Sequence, residues 1–370
     1  MIDMLREELI RIRNRQFDFL IFFVTGQCNA QCHHCFYWEN LGPTHAGLSL
    51  TAVEKLASSM PLFRTLLLSG GEPTLRKDLP ELVAVFLKHN RIRTVSVPTN
   101  GLLPQRIASL ARDIARLSPN LHVTFNLSID GFEATHERIR GVPGNFRKSL
   151  ETLKLLRHVA NEYPNLEILV NSVICADNFS EVVPLAEFIR DEKLVNGHFF
   201  EVVRGDPPDV RIRAVPPEAL RRIYDKVLPL QAEYLESSLR GLRGLRRLWR
   251  QVEGLGGLIY RYRTQWSVHA RGAHWPVHCM AVEAIAVVDY DGRLRVCELR
   301  ATAVNLADFD YDFEAARGSK PMLAERSVAK SHQCDCTHVC FVNTSVKFSL
   351  KERFLALPWF YLRYRLEGSW

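Results

Sequence analysis

No stretch of this 370-residue chain approaches the roughly 20 consecutive apolar residues that a membrane-spanning helix needs, so no such helix is expected. The opening, Met1 to Glu8, lacks the apolar core of a secretory signal. The expected compartment is therefore a reducing cytoplasm, where nine cysteines serve metal ligation sooner than disulfides. No recognised nucleic-acid-binding motif accompanies the pI near 9.0, and no nucleic-acid partner is expected. Apolar residues are not scarce: 47% hydrophobic and 24% charged residues suffice for a sizeable core in one large or two ordinary domains. The net charge of +7 is unevenly placed, with Arg221, Arg222, Arg240, Arg243, Arg246, Arg247 and Arg250 in one segment. Such a run is either a solvated helix face or a surface for an anionic partner.

Three thiols, Cys28, Cys32 and Cys35, fall within eight residues directly behind the apolar run Phe17 to Val24. A structural zinc or an ordinary electron-carrying cluster takes four protein ligands. Three leave one position for a small molecule, with a zinc knuckle as the plain alternative. Residues 1–16 read as an N-terminal helix. Beyond them, apolar runs of strand length alternate with helix-length segments: Phe17 to Val24, Thr65 to Leu68, Thr94 to Val97, His122 to Leu127, Glu167 to Val173 and His198 to Val203. That is the pattern of repeated βα units on a parallel sheet. Ser49, Pro80 and Asn145 mark helix starts between them. Polar or glycine-rich groups close the strands, and in barrels the chemistry sits at those carboxyl ends.

The C-x3-C-x2-C spacing, followed at once by Phe36, Tyr37 and Trp38, resembles the signature of the radical SAM superfamily. The resemblance implies an α/β fold, a partial (β/α)6 TIM-type barrel over residues 17–206. In it Cys28, Cys32 and Cys35 hold a four-iron (4Fe-4S) cluster whose open iron is chelated by S-adenosyl-L-methionine (SAM). It further implies reductive cleavage of SAM to a 5′-deoxyadenosyl radical that abstracts hydrogen, and an electron donor such as flavodoxin or ferredoxin. The difficult chemistry then belongs to the cofactor. Gly70, Gly71 and Glu72 look like the family's GGE element, which holds the methionine amino group, and Thr99 and Asn100 are similar to its TNG element. By the same resemblance Ser128 and Asp130 reach the ribose hydroxyls. Arg140 meets the methionine carboxylate, for which a forked guanidinium is suited; a surface helix cap is the other reading of that arginine. Asn171 and Arg204, at the ends of strands five and six, are added as pocket-facing cofactor contacts.

Pro207, Pro208, Pro216 and Pro217 punctuate the exit from the barrel. Residues 207–270 read as an arginine-rich helical linker with leucines at helical spacing. Cys279, Cys297, Cys334, Cys336 and Cys340 follow, with Val287 to Gly292 reading as a tight hairpin. The spacing C-x12-G-x4-C resembles the opening of SPASM and twitch extensions. Residues 271–345 are accordingly expected to form a small C-terminal cysteine-rich, twitch-like extension with one auxiliary four-iron cluster. Five thiols are one more than such a cluster needs: Cys279 and Cys297, with two of Cys334, Cys336 and Cys340. A zinc site that adds His332 or His338 is the alternative. Cys175, alone in an apolar run, is read as a small buried hydrophobe. Residues 346–370 read as an aromatic, basic helix that either closes the barrel or makes peripheral contact with an anionic membrane.

The expected function is a radical SAM enzyme acting on a small molecule: a sugar, a nucleotide or a lipid-linked intermediate. Only 27 residues precede Cys28, fewer than the several dozen of a peptide-recognition domain. Modification of a ribosomal peptide is the alternative within the family. An iron-sulfur electron carrier or metal-stabilised binding module is the alternative outside it. The elements at Gly70 to Glu72 and Ser128 to Asp130 argue against the latter, since an electron carrier needs no pocket for an amino acid and a ribose. No general acid or base is assigned while the bond broken is unknown.

Overall fold

The first apolar run forms β1 (Phe19–Thr25), whose residues after the first are all buried. Burial on both faces is what a central parallel strand requires, and it explains the unbroken apolar run. This computed structural model describes residues 10–331 and 336–368. In it β2 (Thr65–Gly70), β3 (Thr94–Thr99), β4 (His122–Ser128), β5 (Leu166–Ile174) and β6 (Gly197–Val202) follow β1 in parallel, each beside its predecessor. These are the six strands expected from the sequence, with ends displaced by no more than two residues.

The connections are α1 (Leu50–Ser59), α2 (Leu79–Asn90), α3 (Pro104–Arg116), the pair α4 (Glu133–Arg140) and α5 (Asn145–Glu162), and α6 (Val182–Asp191). Ser49 caps α1, its Oγ accepting from the Ala52 N–H at 3.2 Å. Pro80 and Pro104 sit in the first turns of α2 and α3, where a missing N–H costs nothing. Alternation along β5 shows how the layers divide: Leu166, Ile168, Val170, Ser172 and Ile174 are buried, while Glu167, Leu169, Asn171 and Val173 are half-exposed toward the concave side. The helices cover the other face with rings such as Phe22 against Phe86, centroids 6.0 Å apart and edge-on. Each such fully buried side chain contributes roughly 1.5–3 kcal/mol.

The sheet does not close. Its order is β6-β5-β4-β3-β2-β1-β7-β8-β9, so β6 and β9 are the free edges. Here β7 (Ile285–Val288) pairs in parallel with the outer side of β1, Phe19 opposite Ile285, and β8 (Arg293–Arg295) and β9 (Ala303–Asn305) continue antiparallel. The expected hairpin is present between β7 and β8, and Gly292 takes the left-handed conformation its turn needs (φ 85°). The cysteine-rich segment is thus built onto the barrel's own sheet.

Helices α7 (Pro217–Ser238), α8 (Gly244–Gln251) and α9 (Gly257–Arg271) fill the expected helical region. They are fastened to the barrel through Gln231, whose Nε2 donates to the His198 carbonyl at 2.8 Å. Tyr224 and Tyr262 stack at 4.0 Å between α7 and α9. Helices α10 (Phe313–Arg317), α11 (Lys320–Lys330), α12 (Val339–Lys347) and α13 (Leu357–Glu367) complete the chain.

Candidate active site

The loop carrying Cys28, Cys32 and Cys35 leaves the carboxyl end of β1 and is fastened on both sides by backbone. On one side the Gly71 N–H donates to Thr25 O and the Glu72 N–H to Gln27 O, both at 2.8 Å. This contact explains the two glycines. A Cβ on Gly70 would lie 2.1 Å from Thr25 O, and one on Gly71 would lie 2.1 Å from Gln27 O. Gly70 also holds φ at 127°. The closest neighbour of the glycine pair is therefore the cysteine loop itself. On the other side the last turn of α4 receives the Gln31 N–H on Arg140 O (3.2 Å) and the His33 N–H on Ile139 O (2.8 Å).

Side chains complete the clamp. Glu72 is 2% exposed, and its carboxylate accepts from the Thr74 N–H (3.2 Å), Thr74 Oγ1 (2.5 Å), Thr99 Oγ1 (2.9 Å) and the Asn100 N–H (2.8 Å). It joins the ends of β2 and β3. Burial raises its pKa against the pull of those donors. Asn100 in turn donates from Nδ2 to Asn29 Oδ1 at 2.7 Å, beside Cys28. Asp130 has no exposed surface and accepts from Arg140 Nε (2.6 Å) and the Val173 N–H (2.8 Å), with His34 Nε2 at 3.1 Å. Burial alone would raise its pKa, but Arg140 and His34 outweigh it and hold the carboxyl well below the usual range.

Arg140 is so held that its Nη1 donates to Cys32 Sγ at 3.7 Å. The structure therefore gives Glu72, Asp130 and Arg140 bonds to the strand ends and the cysteine loop. Ser128 and Asn171, opposite each other in the β4–β5 register, have side chains with no hydrogen bond among the described residues. They stand half-buried at the mouth. Thr99 is taken up by Glu72, and Gly101 N–H donates to its Oγ1 at 3.3 Å.

Arg204 donates to Glu201 (2.5 Å) and Glu298 (3.3 Å), and its guanidinium lies 4.7 Å over the ring of Phe36, next to Cys35. It ties the end of β6 to the cysteine loop and to Cys297's neighbour. Glu298 also faces His338 Nε2 at 2.6 Å. Burial pushes Glu298 upward, yet His338 and Arg204 prevail and hold it at about 2. The Met280 N–H donates to Ser345 Oγ at 3.1 Å. These bonds bring the segments bearing Cys279, Cys297 and Cys340 against one another. Trp275 Nε1 donates to the Cys336 carbonyl at 2.7 Å. Cys334 and His332 lie outside the described residues. Cys175 is buried in the core, as expected of a small hydrophobe.

Both cysteine groups have the chemistry that a four-iron cluster asks of its ligands. Burial pushes the Cys28 thiol up to about 12 and Cys35 up to about 11, and raises Cys32 against the pull of Arg140. Buried thiols of this kind become good ligands only beside a strong positive charge. Among the described residues no three His, Cys, Asp or Glu side chains converge on one metal-ion position. Thiols on a cube each meet a different iron, which calls for wider spacing than ligands sharing one ion. In the C-terminal segment, burial raises the Cys340 thiol in the company of Glu201, Glu298, Arg204 and Arg261. Arg261 is 6% exposed, and its Nε and Nη2 are buried without a hydrogen-bond partner. A buried guanidinium with two unsatisfied nitrogens fits a segment that holds further negative charge, as thiolates would supply. Both donor sets fit.

Sequence reasoning alone did not single out Asn29, His34, Thr74 or Asp289. Tyr37 Oη donates to Asp289 in a short bond that joins the cysteine loop to the β7–β8 turn. The aromatic trio behind Cys35 was the only signal for it.

Residues 22–189 match the family model described as the radical SAM superfamily, a span that begins within β1 and ends in α6. The match is confined to the barrel, and a domain of that superfamily takes a four-iron cluster and SAM. The chain is 29% identical to an Fe-coproporphyrin III synthase of Methanosarcina barkeri over 192 residues, 50% of this chain and 44% of that protein. It is 28% identical to a GTP 3′,8-cyclase of Pectobacterium atrosepticum over 44% of this chain and 48% of that one. The chain thus spans about half the length of the curated relatives it matches. Among solved structures, native anSMEcpe with bound AdoMet superimposes with a TM-score of 0.60 at 16% identity, covering 94% of this chain and 99% of that one. Streptococcus suis SuiB bound to S-adenosylmethionine gives 0.56 at 15%, covering 87% and 71%. These two likenesses are of fold, and they extend past the barrel into the C-terminal extension.

Proposed function

We propose that the chain is a radical SAM enzyme that abstracts hydrogen from a small-molecule substrate, with an auxiliary four-iron cluster held by the C-terminal cysteines. The observation that carries this is the triad: three thiols on a loop clamped at the carboxyl ends of β1, β2 and β4, with the remaining described cysteines in the core or the C-terminal segment. When bound, cluster and SAM together supply a hydrogen-abstracting adenosyl radical.

The chain's own residues do the positioning. Cys28, Cys32 and Cys35 would hold the cluster, and Arg140 orients Cys32 through its donated bond. Glu72 and Asp130 lock the strand ends that frame the loop, so each thiol keeps its place. Phe36 and Tyr37 close the loop's rear against Arg204, Phe23 and Asp289, which keeps water from that side. Ser128 and Asn171 are the polar side chains left to meet a ligand at the mouth. Cys279, Cys297, Cys340 and one of Cys334 and Cys336 would hold the auxiliary cluster, with Arg261 and Arg204 balancing its charge. A flavodoxin or ferredoxin is the natural electron donor.

The test is anaerobic reconstitution with iron and sulfide, counting iron per chain and 5′-deoxyadenosine formed with SAM and dithionite. About eight irons and deoxyadenosine production are expected for two four-iron clusters. Replacing Cys28, Cys32 and Cys35 by alanine should abolish deoxyadenosine formation and leave about four irons. Persistence of cleavage in that variant would sink the assignment of the triad. Among the described residues no helix is long and apolar enough to cross a membrane.

A further inference from the structure

Fourteen large hydrophobic residues are exposed among the described residues, and eight of them lie within 245–248 and 350–366. Scattered exposed apolar residues are ordinary, whereas a concentration of them marks an interaction surface. Two stretches more than 100 residues apart supply this one. On α8, Leu245 (79% exposed) and Leu248 (45%) lie on one side of the helix. In the last helical stretch Leu355, Trp359, Leu362 and Leu366 recur at intervals of four, three and four, one continuous stripe, with Leu366 85% exposed. The last stretch packs against the carboxyl end of α8 and residues 252–256 behind it. Trp249 stacks on Phe354 at 5.3 Å, Arg353 Nη2 donates to Glu253 at 2.7 Å, and Tyr361 Oη donates to Gln251 at 3.4 Å.

The charges around the stripe are matched on one side only. Glu236, Glu253 and Glu367 are already held by Arg247, Arg353 and Arg363. Arg240, Arg243, Arg246, Lys351 and Arg365 are exposed and form no ion pair among the described residues. An apolar stripe that includes an exposed tryptophan, Trp359, and is bordered by unpaired cations is the pattern of helices lying in the headgroup layer of an anionic bilayer. Because no described helix is built to cross, contact comes from one side, with α8 and α13 in the membrane plane. A cavity of about 450 Å³ lies next to this face, lined at one end by Leu258, Arg353 and Leu357 and at the other by Leu169 and Phe199 of the barrel strands.

We infer that the α8–α13 face is a peripheral docking surface for anionic phospholipid bilayers. The inference stands apart from the SAM chemistry, since lipid binding is read without turnover. The experiment is flotation of the full-length, cluster-reconstituted chain with phosphatidylcholine vesicles and with vesicles containing roughly a third phosphatidylglycerol. The chain should float with the anionic vesicles, about tenfold more weakly with neutral ones, and less as salt rises well above 0.1 M, roughly where the screening length falls below 10 Å. The pair Leu355→Glu and Trp359→Glu, both exposed, should cost at least about tenfold in binding to either vesicle. The trio Arg243→Gln, Arg246→Gln and Arg365→Gln should erase only the preference for anionic lipid. All these variants should keep the wild-type melting temperature and deoxyadenosine yield. Absence of flotation, or undiminished flotation of the Leu355/Trp359 variant, overturns the inference. So does a dimer in light scattering that the same pair of substitutions dissociates, because the face would then be covered by a second copy.

Discussion

Asparagine at position 130 would remove one negative charge from the most enclosed point of the site at almost no change in size. Asp130 is the only carboxylate in ion-pair reach of Arg140 among the described residues, and Arg140 is itself 7% exposed. An asparagine oxygen can still accept from Arg140 Nε or from the Val173 N–H, but its amide would face a donor wherever it turns. The guanidinium is left buried and uncompensated, a change that costs about 3–5 kcal/mol. At about 1–2 °C per kcal/mol for a chain of this length, Asp130→Asn should lower the melting temperature of the cluster-free chain by roughly 3–10 °C. Near-ultraviolet circular dichroism would follow it. Adding Arg140→Gln should recover part of the loss, the double variant costing less than the summed singles by about 1 kcal/mol or more. Iron uptake should fall alongside, because Arg140 bonds to Cys32 and its carbonyl holds Gln31. A loss under about 1 kcal/mol, or a strictly additive cycle, would refute the view that this pair anchors the cysteine loop.

Three further outcomes follow from the same geometry. Burial lowers the pKa of His136 to about 4 and of His198 to about 3, so the folded chain refuses protons that the unfolded chain accepts near 6.5. Their contribution is complete above that value and lost as pH falls through it, at about 1.4 kcal/mol per pH unit for each histidine. Thermal melts of the cluster-free chain should therefore fall steeply below pH 6.5, and His198→Gln should roughly halve the slope; a flat profile contradicts the burial argument. Gly71→Ala places a Cβ 2.1 Å from Gln27 O and must displace the loop at Cys28. Iron at the triad and deoxyadenosine yield should drop severalfold while far-ultraviolet dichroism is kept, and wild-type iron content would show the contact to be soft. Finally, Arg261→Gln removes a buried charge whose Nε and Nη2 have no hydrogen-bond partner, so the cluster-free variant should melt no lower than wild type, whereas its auxiliary iron should be lost more readily. A marked drop in cluster-free stability would instead show that its stacking over Phe199 and Tyr262 holds the fold.

The barrel was legible because its central strand β1 is buried on both faces and the strands beyond it are apolar runs of strand length. An unbroken apolar run such as Phe19 to Val24 suits a central parallel strand and little else, and the strand ends followed from where polar residues resume. The cysteine triad and the Gly-Gly-Glu element were legible as spacing. What spacing could not show is what those residues touch. On sequence alone Gly70 and Gly71 are part of an element that holds the methionine amino group, and the structure adds that they lie against the backbone of the cysteine loop. Glu72 and Asp130 draw their partners from residues up to 96 positions away, as His34 and Asp130 are. No local signal announces a pairing of that kind.

The same limit governs the C-terminal half. The hairpin at Val287 to Gly292 is legible in the sequence from its Asp291-Gly292 turn, but the edge it joins depends on β1 having a free side, which follows from the barrel being open. Arg261 looks like any other arginine on an amphipathic helix until α12 and β6 enclose it. Taken singly, the arginine run reads as a solvated face or a surface for an anionic partner, and the aromatic tail as a packing helix or a membrane contact. Only their juxtaposition, through Trp249 on Phe354, turns two ordinary helices into one apolar surface edged with unpaired cations. Local sequence specifies the elements, and function resides in contacts that the chain makes only once those elements have met.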